Sequence, residues 1–207
     1  MIEMIITSIE KYKGETFCVI ADGNKRAYLH RDIIAKYSLK ADMEISSEDF
    51  AKVLMASELR RATRRAMYLI NEREYSYIGL FEKLKNNYPE DICYKVANYM
   101  AAKGYINDKR FAEALVYSYM ECKLYGPKRV KQELYRRGIR GKTADEAIEN
   151  SLDGLEQRLM TLIERKYDGY LHDPDDIKAI TKVKNGLVRA GYDYDDINRA
   201  VKEYIEG

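Results

Sequence analysis

The sequence predicts a mainly α protein: three tandem three-helix, helix-turn-helix-like repeats forming an elongated curved body, with a small β-rich N-terminal extension. Three observations predict it. From Ser46 onward the apolar residues recur at i, i+3 and i+4, the period of an amphipathic helix. The second helices of three successive rounds overlay through Leu84, Leu134 and Leu187, spaced by 50 and 53 residues, as in a repeat array. The first 45 residues, by contrast, carry short β-favouring runs broken by a hairpin-type turn. The expected segments are the extension, 1–45, and repeats at 46–106, 107–153 and 154–207.

In chain order, Met4-Ile5-Ile6, Phe17-Cys18-Val19-Ile20 and Arg26-Ala27-Tyr28-Leu29 read as two or three antiparallel strands, turned at Asp22-Gly23-Asn24. A short helix is expected near Arg31–Lys36. Ser46 and Ser47, followed by Glu48 and Asp49, cap a long helix whose stripe runs from Phe50, Val53 and Leu54 through Ala62, Ala66, Leu69 and Ile70 and ends near Glu72. Tyr75-Ser76 opens a helix with Ile78, Leu80, Phe81 and Leu84 inward. Pro89 is expected at the first position of the next, with Ile92, Val96 and Met100 inward and Gly104 as its stop. Asn107-Asp108 caps a helix bearing Phe111, Ala112, Leu115 and Val116, Pro127 opens one bearing Val130 and Leu134, and a third spans about 143–152. The last round places Leu155, Leu159 and Leu162 inward. A helix behind Asp173-Pro174 then carries Ile180, Val183 and Leu187 to Gly191, and a final one carries Ile197, Val201 and Ile205. Gly138 and Gly191 each lie four residues past the aligned leucine, where the first round has Tyr88.

Composition excludes several classes. Cys18, Cys93 and Cys122 are odd in number and contain no CxxC pair, so neither a disulfide framework nor a zinc site is expected, and a reducing, cytoplasmic setting fits. No apolar run reaches the 18 residues of a membrane span, and the polar N-terminus does not read as a signal sequence. His30 and His172 are isolated. The acids at Asp173, Asp175, Asp176 and at Asp193, Asp195, Asp196 sit at helix starts, where capping explains them better than a metal does. No phosphate-binding glycine loop or nucleophile elbow occurs, so the expectation is a protein without catalytic residues, metal or cofactor.

Charge is segregated although the net is only +2. Residues 57–142 hold 19 Lys/Arg against 10 Asp/Glu, and residues 143–207 hold 9 against 15. A basic middle points to a polyanion or an acidic protein face. Two clusters carry it. Arg60, Arg61, Arg64 and Arg65 share an arc of one helix, where like charges repel one another at i, i+4 unless an anion offsets them. Lys128, Arg129, Lys131, Arg136, Arg137, Arg140 and Lys142 occupy the second helix of the middle repeat and the loop after it. Arginine suits bidentate contact with phosphate or carboxylate. Among 19 tyrosines, Tyr68, Tyr94, Tyr99 and Tyr117 read as half-buried core edges, whereas Tyr125 and Tyr135, beside the second cluster, are candidates for base stacking.

Three stretches carry a resemblance. Ala62-Thr-Arg-Arg-Ala66-Met67 through Leu69-Ile70, Arg73, Ser76, Leu80 and Lys83-Leu84 resembles the RecX-family pattern of a long helix, an arginine and a serine that opens the next helix. Gly104-Tyr105-Ile106-Asn107-Asp108-Lys109-Arg110-Phe111-Ala112 is similar to that family's GYLDDxRFA. Tyr125-Gly126-Pro127 through Glu133-Leu134, Arg137, Gly138 and Ile139 is similar to its GPxxIxxELxxKGI. Asn107, Arg137 and Tyr88 depart from the usual Asp, Lys and Gly. The resemblance implies a regulator that lies in the groove of the RecA–single-stranded DNA filament. Such a regulator mostly inhibits ATP hydrolysis, strand exchange and co-protease activity in the SOS response. The implied partners of this monomer are the RecA filament and single-stranded DNA, with double-stranded DNA a further candidate. Two other readings remain at this point: a sequence-tolerant nucleic-acid-binding module or transcription regulator that does not act on RecA, and a helical scaffold for proteins alone.

Overall fold

The computed structural model describes residues 3–206, which pack as two compact units: residues up to 73 together with 80–103, and 74–79 together with 104 onward. The first contains β1 (Glu3–Lys13), β2 (Thr16–Ala21), β3 (Lys25–His30), α1 (Arg31–Lys36), β4 (Met43–Ser46), α2 (Ser47–Glu72), most of α3 (Tyr77–Lys85) and α4 (Glu90–Ala102). Its sheet is antiparallel in the order β3-β2-β1-β4. Asp22 and Gly23 both take positive φ, 49° and 73°, so the expected hairpin turn has the twist that joins β2 to β3. The strand that sequence reading missed is β4. It is four residues long and pairs with β1, placing Met4 opposite Ile45, a partner some forty residues away that no local pattern announces.

One face of the sheet buries Met4, Ile6, Val19, Ala21, Ala27, Leu29 and Ile45 against Ile33, Phe50 and Val53. This apolar seam seats α1 and the first half of α2 on the strands. Ser46 caps α2, its Oγ accepting the Asp49 N–H at 3.0 Å, and Glu48 and Asp49 complement the helix dipole. Further along, α2 packs on α4, burying Ala62, Ala66 and Leu69. Pro89 stands one residue outside its expected place: with ψ 150° it is the N-cap of α4, and the helix begins at Glu90.

The second unit holds the start of α3, α5 (Asp108–Tyr117), a π-helical turn at Ser118–Cys122, α6 (Pro127–Arg136), α7 (Lys142–Glu149), α8 (Leu155–Tyr167), a 3-10 turn at Asp168–Tyr170, α9 (Ile177–Ala190) and α10 (Tyr194–Glu206). Two cores result. Phe111, Leu115, Met120, Val130, Leu134, Ile139 and Ile148 close the middle three helices. Leu159, Ile163, Leu171, Val183, Leu187, Tyr192, Ile197 and Val201 close the last three. Leu84, Leu134 and Leu187 are all fully buried, so the residues that aligned the rounds are core residues in each. Ile163, not Leu155 or Leu162, is the fully buried neighbour of Leu159.

Two expectations on this unit's boundaries shift. The last helix of the middle round is Lys142–Glu149, with Asn150 as its C-cap. The helix expected behind Asp173-Pro174 starts at Ile177, because Asp176 accepts the Ala179 N–H at 3.0 Å as N-cap, while Asp173 accepts the Asp175 N–H in a preceding turn.

The joint between α6 and the α9–α10 turn is made by main chain. Gly126 N–H donates to the Ala190 carbonyl at 2.8 Å, and Lys128 N–H to that of Gly191 at 3.1 Å. Nearby, Tyr192 is fully buried and its hydroxyl donates to the Leu124 carbonyl at 3.1 Å. Burial pushes its pKa up to about 12 from the usual 10. A raised folded-state pKa means that this group's contribution is whole below pH 10 and lost as pH rises towards 12. Tyr192→Phe is expected to lose about 1 kcal/mol at neutral pH, the hydrogen bond's worth, and to flatten the alkaline fall of stability in urea titrations. Part of the slope that remains belongs to Tyr204, whose bond to Asp168 at 2.6 Å also raises its pKa to about 12, and part to Lys52 and Lys131, which their carboxylate partners raise. An unchanged alkaline slope in the variant would exclude Tyr192 as its source.

Candidate interaction surface

The middle basic cluster is built on α6. Gly126 and Pro127 start the helix, Val130 and Leu134 turn into the core, and the remaining positions of its three turns carry the cations. Several already have partners. Lys128 Nζ lies 2.6 Å from Asp193, holding that carboxyl below its usual range, and Lys131 Nζ lies 2.7 Å from Asp145, which raises the lysine. Arg136 pairs with Glu133 at 2.9 Å and Lys142 with Glu146 at 3.4 Å. Apart from Glu133, whose side chain is only 12% exposed, these partners are exposed and screened by salt, so an anionic partner can recruit Lys128, Lys131 and Lys142 at small cost.

Arg129 is different. Its side chain is 37% exposed, it reaches the Arg189 carbonyl, its buried Nε makes no hydrogen bond among the described residues and lies 3.9 Å from Glu133, and its guanidinium stacks 5.0 Å from the Tyr125 ring. It wedges the α6 start against the α9–α10 turn, a structural task. Tyr125 shares it: half-buried on the middle core and 5.7 Å from the Tyr119 ring, it presents no open face comparable to that of exposed Tyr135. Arg137 and Arg140 remain. Both are exposed, and among the described residues neither has a carboxylate partner. The Arg137 carbonyl, however, accepts a bond from Ser76 Oγ, and Gly138 beside it has φ 81° and lies against Ile78. The turn that presents Arg137 is therefore held by the start of α3.

The other cluster lies on α2 in the first unit. Arg60 pairs with Asp32 at 3.0 Å and lowers that carboxyl's pKa, Arg61 lies 3.7 Å from Glu58, and Arg65 stands over the Tyr68 ring at 5.2 Å. Arg64 has no carboxylate partner among the described residues. Asp32 thus supplies part of the anion that the crowded arginines call for. Tyr94 and Tyr99, each 47% exposed, are half-buried as expected, Tyr94 with its ring 4.4 Å from that of Phe81. Tyr68 at 56% and Tyr117 at 65% are more exposed than expected, because a tyrosine next to an apolar stripe on a helix can point off its flank. No group of three or more His, Cys, Asp or Glu is placed to hold a metal among the described residues, and no helix there is long and apolar enough to cross a membrane.

Sequence comparison places this arrangement. Residues 107–148 match the model of the second three-helix domain of RecX, and 155–201 that of the third. The regulatory protein RecX of Ectopseudomonas mendocina is 32% identical over 141 residues, 67% of this chain and 91% of that one. The chain belongs to the RecX family. The regulatory protein RecX of Clostridioides difficile is 26% identical over 204 residues, covering 97% of this chain and 96% of its own. A crystal structure of regulatory protein RecX superposes with a TM-score of 0.71 at 20% identity over 98% of both chains. That of RecX from Lactobacillus salivarius does so with 0.65 at 26%, covering 72% of this chain and 97% of its own.

In this RecX-family chain the motif residues divide by task. Asn107 caps α5 by accepting the Arg110 N–H, and Asp108 accepts the Tyr77 N–H at 2.7 Å, capping α3 from 31 residues away. Arg110 completes the stitch with Glu74 at 2.9 Å. The charged letters of the 104–112 motif therefore hold two helix starts together, and a second residue doing this could not be found from spacing. Glu121 and Arg158, paired between the π-helical turn and α8, were likewise missed: nothing local marks partners 37 residues apart.

Proposed function

We propose that this chain is a non-catalytic regulator that binds the RecA–single-stranded DNA filament and chiefly inhibits its ATP hydrolysis, strand exchange and co-protease activity. The observation that carries this reading is the set of three motifs in family order between Ala62 and Ile139, in a chain whose last two repeats match the RecX domains. The surface we assign to the filament centres on Arg137 and Arg140, with Lys128, Lys131, Arg136, Lys142 and Tyr135 around them, and Arg61, Arg64 and Arg65 as a second contact. Arg60, Arg129 and Tyr125 support these contacts, since their side chains are engaged within the fold.

The test is the single-stranded-DNA-dependent ATPase of RecA with substoichiometric added protein. Inhibition, together with co-sedimentation on preformed filaments, is expected; absence of both would sink the reading. The double variant Arg137→Glu/Arg140→Glu should lose most of the inhibition while its thermal midpoint stays near that of the wild type, because among the described residues neither side chain has a carboxylate partner to lose. Full potency in this variant would move the surface elsewhere. If four of these cations meet single-strand phosphates, affinity for an oligonucleotide falls roughly 50-fold between 50 and 200 mM salt. A scaffold for proteins alone would bind weakly at both.

A further inference from the structure

A groove in the first unit runs between the free edge of β3 and the flank of α2. Among the described residues β3 pairs with β2 alone, so alternate N–H and C=O groups of its outer side have no ladder partner. Residues 25 to 29 form one wall, and Phe50, Leu54, Ser57, Glu58 and Arg61 the other, around a cavity of about 480 Å³. It continues past Tyr28, Ser57 and Arg61 into a second cavity of about 430 Å³, where Thr16 and His30 face Arg60, Arg64 and Tyr88. The two walls match in length. Six residues of strand extend about 20 Å, and α2 from Phe50 to Arg64 rises about 21 Å. An extended segment of about six residues therefore fits both.

An open strand edge beside a helix is the geometry of strand addition, in which main-chain bonds give affinity and flanking side chains give selectivity. Charge chooses the occupant. Lys25 and Arg26 stand at one end of the groove, Arg64 at the other, and Arg61 where the two cavities meet. A second copy of β3 would bring lysine and arginine onto lysine and arginine. Nucleic acid is disfavoured too, because the middle of the groove is apolar, with exposed Leu54 over Phe50, and carries Glu58, while the strand's outward carbonyls repel phosphates. We infer that the groove takes an acidic, extended peptide as a fifth strand beside β3. Its carboxylates meet the basic residues at the two ends and Arg61 between them, and an apolar side chain settles on Leu54. This deepens the second contact of the reading above and rests on it there. It is scored without RecA, so its failure and that of the filament reading are separable.

The test uses the full chain and a fluorescein-labelled octapeptide alternating Glu and Val, with a Lys/Val octapeptide and an eight-residue oligo-dT as comparators. Saturable anisotropy with the acidic peptide is expected, together with slowed amide exchange confined to residues 25–30. Arg61→Glu/Arg64→Glu should weaken binding by roughly tenfold or more with the far-UV spectrum unchanged, since both side chains are exposed. Leu54→Lys should weaken it as well. No binding, binding that leaves the β3 amides unprotected, or unchanged affinity in the double variant overturns the inference. Equal binding of the Lys/Val peptide, or protection of the same amides by oligo-dT, overturns it too.

Discussion

Gly191→Ala is expected to destabilise the protein by about 3 kcal/mol, the sum of a strained backbone and an overpacked contact. Gly191 holds φ 97°, which an L side chain rarely adopts, and a Cβ there would fall under 3.0 Å from the Arg129 main chain. Neither problem can relax cheaply, because the obstacle is backbone at the start of α6, where the Gly126 and Lys128 N–H groups are bonded to the Ala190 and Gly191 carbonyls. Gly126 meets the same joint from the other side, its added Cβ running into Gly191. Gly126→Ala should cost less, since its φ of −76° suits any residue and only the overpacking remains, and the double variant less than the sum, because one contact is broken twice. Urea unfolding checks this. Gly169→Ala is the control, with open space around it and no positive φ, and is expected to be near neutral. A wild-type midpoint for Gly191→Ala would mean that the joint opens without consequence.

Arg158→Ala is expected to lose about 3 kcal/mol, at the low end for breaking a buried pair because Glu121 keeps some contact with water. Arg158 is buried on α8, where one nitrogen of its fork meets Glu121 and another donates to the Ser151 carbonyl at 2.6 Å. Removing it leaves a carboxylate and a carbonyl unpaired at once. Arg158→Lys should recover little, since a single ammonium cannot serve two acceptors set for a planar fork. A thermal midpoint for Arg158→Lys close to wild type would show that charge alone suffices, and the geometric account would fall. Glu121→Gln, which keeps an acceptor, should cost less than Arg158→Ala.

How much was legible follows from what each feature depends on. The helices were readable because each carries its own evidence: Ser46 and Asn107 are local caps, Leu84, Leu134 and Leu187 fill one inward position, and Gly138 and Gly191 mark helix ends with positive φ. β4 was not, because a four-residue strand is defined by its partner β1. Cation clusters were readable as counts along the chain, but a count does not say which members are engaged. Arg129 in the first turn of α6 and Arg137 at its C-cap, eight residues on, differ in what the last repeat and the start of α3 do to them. Tyr68 and Tyr117 misled for a related reason, since a ring beside an apolar stripe can turn either way and the i, i+4 pattern does not decide.

The seam between Gly126, Lys128, Ala190 and Gly191 has a consequence for divergence. Because its bonds run from amide to carbonyl, their geometry asks only for two residues without side chains and leaves most neighbouring letters free to drift. A crystal structure sharing 20% of residues yet matching over 98% of both chains fits that tolerance. Substitutions should therefore accumulate across the outer faces of α9 and α10 long before either glycine is exchanged. A relative lacking one of them would have to rebuild the joint from side chains.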